Sequence, residues 1–115
     1  MTSEPTQQSI GEYQIAFRDA NERIESAAHF ALLEGHVPFI CECQAVECMA
    51  IVRLTLDEYD AIRANPRRFF NLPGHERVSV GAGAETVVSV FDAFTVVDKV
   101  GVAGDLAVRA RSAFA

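Results

Sequence analysis

The sequence predicts an α+β fold: a long N-terminal helix, a β-hairpin carrying a zinc knuckle, a second short helix and further antiparallel strands. Three observations lead there. Apolar residues recur at helical spacing near the amino terminus, and short β-rich runs occupy the middle and end of the chain. All three cysteines, Cys41, Cys43 and Cys48, fall inside the stretch F-I-C-E-C-Q-A-V-E-C. With 115 residues, the length suits one domain with a modest core. Residues 1–8 are polar and read as a flexible tail, which leaves 9–112 for a single zinc-binding domain.

The first helix is expected to begin at Ser9, with Glu12 three residues on completing a capping box. Tyr13, Phe17, Ala20, Ile24 and Ala27 or Ala28 form one apolar stripe suited to packing on a sheet. Arg18 with Glu22, and Asp19 with Arg23, fall four apart on the sides expected to face water. Gly35 is the expected stop. His29 reads as a surface or boundary residue.

A short strand over 39–41 and a returning strand over 50–54 make a hairpin with the cysteines at its tip. Thr55 and Glu58 make a second capping box, so a short helix follows, with Leu56, Tyr59 and Ile62 facing inward. Asn65-Pro66 ends it, because proline disfavours helical geometry in the residue before it. Residues 67–72 read as extended, and Pro73-Gly74 turns the chain at His75. Val78-Ser79-Val80 is β-like, then Gly81-Ala82-Gly83 breaks the pattern. That glycine pair lacks the third glycine and the lysine of a phosphate-binding loop and reads as a turn. Residues 87–91 and 94–98 suit a tight hairpin across Asp92-Ala93, and 102–112 a terminal helix.

Composition weighs against several functions. The net charge of −6 opposes nucleic-acid coating, which needs a surplus of lysine and arginine. No apolar run is long enough to span a bilayer. The first residues lack a basic start and apolar segment, so a cytoplasmic setting is expected, where thiols stay reduced. Three cysteines are also an odd number for closed disulfide pairing.

Clustered thiols of this kind suit a soft divalent ion, and zinc asks for about four thiolate or imidazole ligands in a tetrahedron. The C-x-C-x4-C spacing supplies three. His75 in L-P-G-H can supply the fourth; His36 competes for the place, and spacing does not choose between them. Glu42 and Glu47 make the loop poor core material, so free buried thiols are the weaker reading. Four protein ligands would close the site and make Zn2+ structural. Without His75, three thiolates and a water would suit a small metallohydrolase with Glu42 as base.

The residues F-I-C-E-C-Q-A-V-E-C, then V-R-L-T-L-D-E-Y-D-A-I-R-A-N-P-R-R-F and L-P-G-H-E, resemble a group of small uncharacterised bacterial proteins frequent in actinobacteria. Their shared pattern is F-x-C-E-C-x4-C, L-T-x-E-Y, a proline-terminated helix and P-G-H. N-E-R-I upstream and V-V-S-V-F-D-A-F-T-V-V-D-K downstream are similar too, so the likeness runs from the first helix to Lys99. The resemblance implies Cys41, Cys43, Cys48 and His75 as one constellation and favours His75 over His36. It lends a site and a fold but no activity. The chain departs from the group in its loop Gln44-Ala45-Val46-Glu47, which is less acidic and has no glycine, and in the longer segment containing Gly81-Ala82-Gly83.

The expected function is a cytoplasmic, non-enzymatic zinc-binding protein acting as adaptor or regulator through contacts with another protein. The alternative is a thiol-based redox or metal sensor that releases zinc when Cys41 or Cys43 is oxidised.

Overall fold

The computed structural model describes residues 7–43, 47–75 and 85–113. Its elements are α1 (Gln7–Phe30), β1 (His36–Ile40), β2 (Ile51–Thr55), α2 (Leu56–Arg63), β3 (Arg68–Asn71), β4 (Glu85–Val90), β5 (Thr95–Lys99) and α3 (Gly101–Ala113). This is the expected α+β architecture. The expectations for residues 1–6, Gln44-Ala45-Val46, Val78-Ser79-Val80 and Gly81-Ala82-Gly83 lie outside the described residues. No helix among the described residues is long and apolar enough to cross a membrane.

Among the described residues the strands form two antiparallel sheets, one of β1 and β2 and one in the order β3-β5-β4. In the first, Val37 faces Leu54 and Phe39 faces Val52, which puts all four side chains in the core. The alternate residues His36, Pro38, Ile51 and Arg53 are exposed, the period-2 pattern of a half-buried hairpin. In the second sheet Phe70 faces Val96, and β4 bulges between Val87 and Ser89. The hairpin across Asp92-Ala93 closes with the Phe91 amide donating to the Phe94 carbonyl at 2.8 Å.

The second helix is capped as its sequence predicts. The Glu58 amide donates to Thr55 Oγ1 at 3.1 Å, and the Thr55 amide donates to Glu58 Oε1 at 2.8 Å. Tyr59 and Ile62 point inward. Phe39 stacks on Tyr59 with ring centroids 4.5 Å apart, and Phe70 meets both rings edge-on. Offset and edge-on pairs of this kind add to the burial of large apolar surface.

Helix α1 departs from expectation in three ways. It begins at Gln7, so Ser9 lies in its first turn and is not its cap; Gln7 and Gln8 are competent helix formers and extend it backward. It ends before Gly35, in a Schellman closure. The Leu33 amide donates to the Ala28 carbonyl and the Leu32 amide to the His29 carbonyl, with Leu32 itself left-handed at φ 56°. Most important, its buried face is rotated by one residue from the apolar stripe. Gln14, Arg18, Asn21 and Ala28 are buried, while Tyr13 is 46% exposed and Phe17, Ala20 and Ile24 are half-buried. Arg18, expected in water, is enclosed: its guanidinium donates to the carbonyls of Pro66 and Ala107 and lies over the Phe69 ring. The polar side chains win the inner face because the surface beneath α1 offers backbone carbonyls that need donors.

At the other end of the chain, α3 starts hard against β5. A Cβ at Gly104 would fall 2.5 Å from the Lys99 carbonyl oxygen, so only glycine allows this approach.

Candidate metal centre

The segment 41–43 leaves β1 and joins the two sheets. The Cys41 amide donates to the Ala50 carbonyl at 2.8 Å, prolonging the β1–β2 hairpin by one pair. One residue later the Glu42 amide donates to the Phe70 carbonyl of β3 at 2.9 Å. Cys48 returns on the other side of the hairpin tip. His75 arrives from β3 through Pro73-Gly74, where Gly74 takes φ 92° and the His75 amide donates to the Leu72 carbonyl. A left-handed turn is what glycine permits here.

These paths bring Cys41, Cys43, Cys48 and His75 together, with their ligand atoms all within 4.8 Å of one another. His75 Nδ1 lies 3.5 Å from Cys41 Sγ and 3.5 Å from Cys48 Sγ. A tetrahedral ion with Zn–S near 2.3 Å and Zn–N near 2.0–2.1 Å sets sulfur and nitrogen about 3.5 Å apart. The group is therefore compatible with a metal ion such as zinc. His36 stands at the far end of β1 from the cysteines, exposed and opposite Thr55, and takes no part.

The surroundings explain why a cation suits the place. Cys41 and Cys43 are fully enclosed, and Cys48 and His75 are half-buried. The Cys41 thiol is pushed well above its ordinary value, first by its hydrogen bond with Cys43 and then by burial, while the Leu72 amide opposes this by donating to Cys41 Sγ at 3.4 Å. Several enclosed thiolates need positive charge beside them, and a bound metal supplies it by displacing their protons.

Glu42, between the first two cysteines, corrects the view of this loop as poor core material. Its side chain is 0% exposed. Oε1 accepts the Phe70 amide at 3.2 Å; Oε2 accepts Asn21 Nδ2 at 2.8 Å and the Arg63 guanidinium in a short contact. Burial pushes the Glu42 carboxyl up from its ordinary value, opposed by Arg63, Asn21 and the Phe70 amide. Arg63 is held in turn by the Tyr59 hydroxyl at 3.0 Å and the Arg68 carbonyl at 2.8 Å. Neither carboxylate oxygen of Glu42 is left to act as a base towards the cysteine cluster.

From α1, Asn21 donates to the Ile40 carbonyl and accepts the Ile40 amide, both at 2.8 Å, and Gln14 donates to the Glu42 carbonyl at 3.0 Å. Sequence reasoning placed Glu42 beside the cysteines but missed Gln14, Asn21 and Arg63 as the groups that hold it there. The available signal was the spacing of Gln14, Arg18 and Asn21, a polar stripe at helical period.

A second group, Glu25 and His29 on α1 with Asp60 on α2, also has its ligand atoms within 4.8 Å of one another. It is far less enclosed. Glu25 is raised to about 8 by burial, then by the hydrogen bond and charge of Asp60 and the charge of Glu22.

Comparison of the chain with family models, curated proteins and solved structures finds no match.

Proposed function

We propose that this is a non-enzymatic zinc-binding protein in which Cys41, Cys43, Cys48 and His75 hold one structural Zn2+, and that it works as an adaptor or regulator through protein contacts. The observation carrying the zinc reading is the pair of 3.5 Å sulfur–nitrogen distances, the edge length of a tetrahedral S3N site. Four protein ligands leave no position for a metal-bound water, and Glu42 is already committed to Arg63, Asn21 and Phe70. Both points argue against the metallohydrolase reading. For the adaptor role the support is apolar surface. Phe30 is 93% and Leu32 85% exposed at the exit of α1, beside Leu33. Apolar side chains gathered this way mark contact surfaces more often than plain solvent-facing ones do. The acidic net charge favours a basic partner.

The test is metal content of the purified protein by mass spectrometry, wild type beside His75→Ala. About one zinc per chain, with weaker retention in the variant, is the expected outcome. Metal-free wild type prepared under reducing conditions would refute the reading.

The sensor alternative draws on a different observation, the unequal exposure of the three thiols. Cys48 is half-buried where Cys41 and Cys43 are enclosed, so a peroxide would reach Cys48 first, not Cys41 or Cys43. Zinc release from the wild type by mild peroxide is the result that reading requires, and a site inert to peroxide would refute it.

A further inference from the structure

The inner face of α1 meets the cysteine-bearing segment through polar groups. Asn21 makes both its amide bonds to Ile40 and a third to the Glu42 carboxylate; Gln14 bonds the Glu42 carbonyl. Ile40 and Glu42 thus share four hydrogen bonds with one helix, and these two residues flank Cys41. Apolar packing tolerates small displacements, because attraction falls off gradually and side chains slide. Buried hydrogen bonds do not. They require both partners within a few tenths of an ångström, and a buried amide that loses its partner opposes the docked state. Residues 40–42 contain Cys41 and end beside Cys43, two of the four groups whose ligand atoms cluster with those of Cys48 and His75.

We propose that Asn21 and Glu42 tie α1 to the metal centre, so that α1 is docked only while the centre is closed. The inference rests on the zinc reading above and adds to it an output: loss of metal is transmitted to a 24-residue helix whose far end carries the exposed Phe30 and Leu32. Glu42 is the pivot, since its backbone lies between two ligands and its carboxylate holds Asn21 of α1 and Arg63 of α2. Helix α3 is involved as well, because Arg18 of α1 donates to the Ala107 carbonyl. By contrast, β4 and β5 pair through their own backbones and do not depend on α1 or Glu42 for their ladder.

Hydrogen–deuterium exchange on the full chain, zinc-loaded and then treated with chelator, tests this. Amides of α1 from Gln14 to Ala28 should lose at least about tenfold in protection when metal is removed, while those of β4 and β5 keep theirs. Unchanged α1 protection, or equal loss across every element, overturns the proposal. A second arm uses Asn21→Ala at full metal occupancy. Fast exchange in α1 with an intact thiolate-to-cobalt absorption band in the cobalt-substituted protein is expected; α1 protection equal to wild type overturns the link through Asn21. Absence of the cobalt band in wild type would instead overturn the metal centre, so the two failures are distinguishable.

Discussion

Phe39, Tyr59 and Phe70 fill one part of the interior by shape, whereas Gln14, Arg18, Asn21 and Glu42 fill the part beneath α1 by hydrogen bonding. The first part is bounded by the β1–β2 hairpin and α2, and Val52 and Leu54 complete it. Burial of apolar surface stabilises it without regard to direction. The second part gains little from transfer out of water, because each polar group trades one set of hydrogen bonds for another. What the polar part gains is specificity of position. The same chemistry continues at the Phe69 ring, which Arg18, Arg63 and Lys99 share: Lys99 is buried with its ammonium 2.6 Å from Glu85, and burial pushes that ammonium down while Glu85 opposes it. The cysteine–histidine cluster sits where the two kinds of interior meet: Phe39 and Ile40 lead into Cys41, and Glu42 follows it.

The contrast can be broken most sharply at Glu42. Glu42→Ala takes the enclosed carboxylate from the Arg63 guanidinium, leaving it the half-exposed Glu22 at 3.7 Å, and should cost about 3 kcal/mol or more in chemical denaturation. A double variant, Glu42→Leu with Arg63→Met, should recover most of that loss, because two apolar groups of similar size need no partners. Equal losses in single and double variants would show that the pair contributes net stability and not position. In the apolar part, Leu54→Ala should cost about 3 kcal/mol as transfer and cavity terms add. Its effect should sum with that of other apolar truncations not in contact with it, in contrast to the non-additive polar pair.

The mildest test lies between α1 and α2, at Glu25 and Asp60. With Glu25 raised from 4.5 to about 8, the folded state keeps a proton that the unfolded chain gives up earlier. The contribution of this group to stability is therefore complete below about pH 4.5 and is lost as pH rises to about 8. Urea unfolding at pH 5 and pH 9 should show wild type losing stability relative to Glu25→Gln across that interval. A constant difference between the two proteins would remove Glu25 as the titrating group.

Much of this was legible from the sequence. The cysteine cluster announced itself by spacing, and the structure brings His75, which the resemblance favoured, beside it while placing His36 away. The Thr55–Glu58 cap was readable because both partners lie within one turn and act locally. The face of α1 was not, because an apolar stripe is the stronger pattern and nothing local says that carbonyls of Ile40, Glu42, Pro66 and Ala107 await donors. Glu42 was hidden for the same reason. An acidic residue between two cysteines in a loop looks wet until a distant arginine, Arg63, is folded against it. Interactions set by neighbours in sequence can be read from it; those set by residues twenty or more positions away need the fold.

The uneven placement of the four clustered groups bears on the order in which the chain assembles. Cys41, Cys43 and Cys48 close short loops, so they can gather round an ion while the rest of the chain is still unfolded, at small entropic cost. His75 must close a far longer loop, and it follows directly on β3. Its arrival therefore brings Phe69 and Phe70 to the core and sets β3 beside the place of β5. In a refolding time course, the approach of His75 to the three cysteines would be the late event and would report the moment at which the second sheet docks on the first.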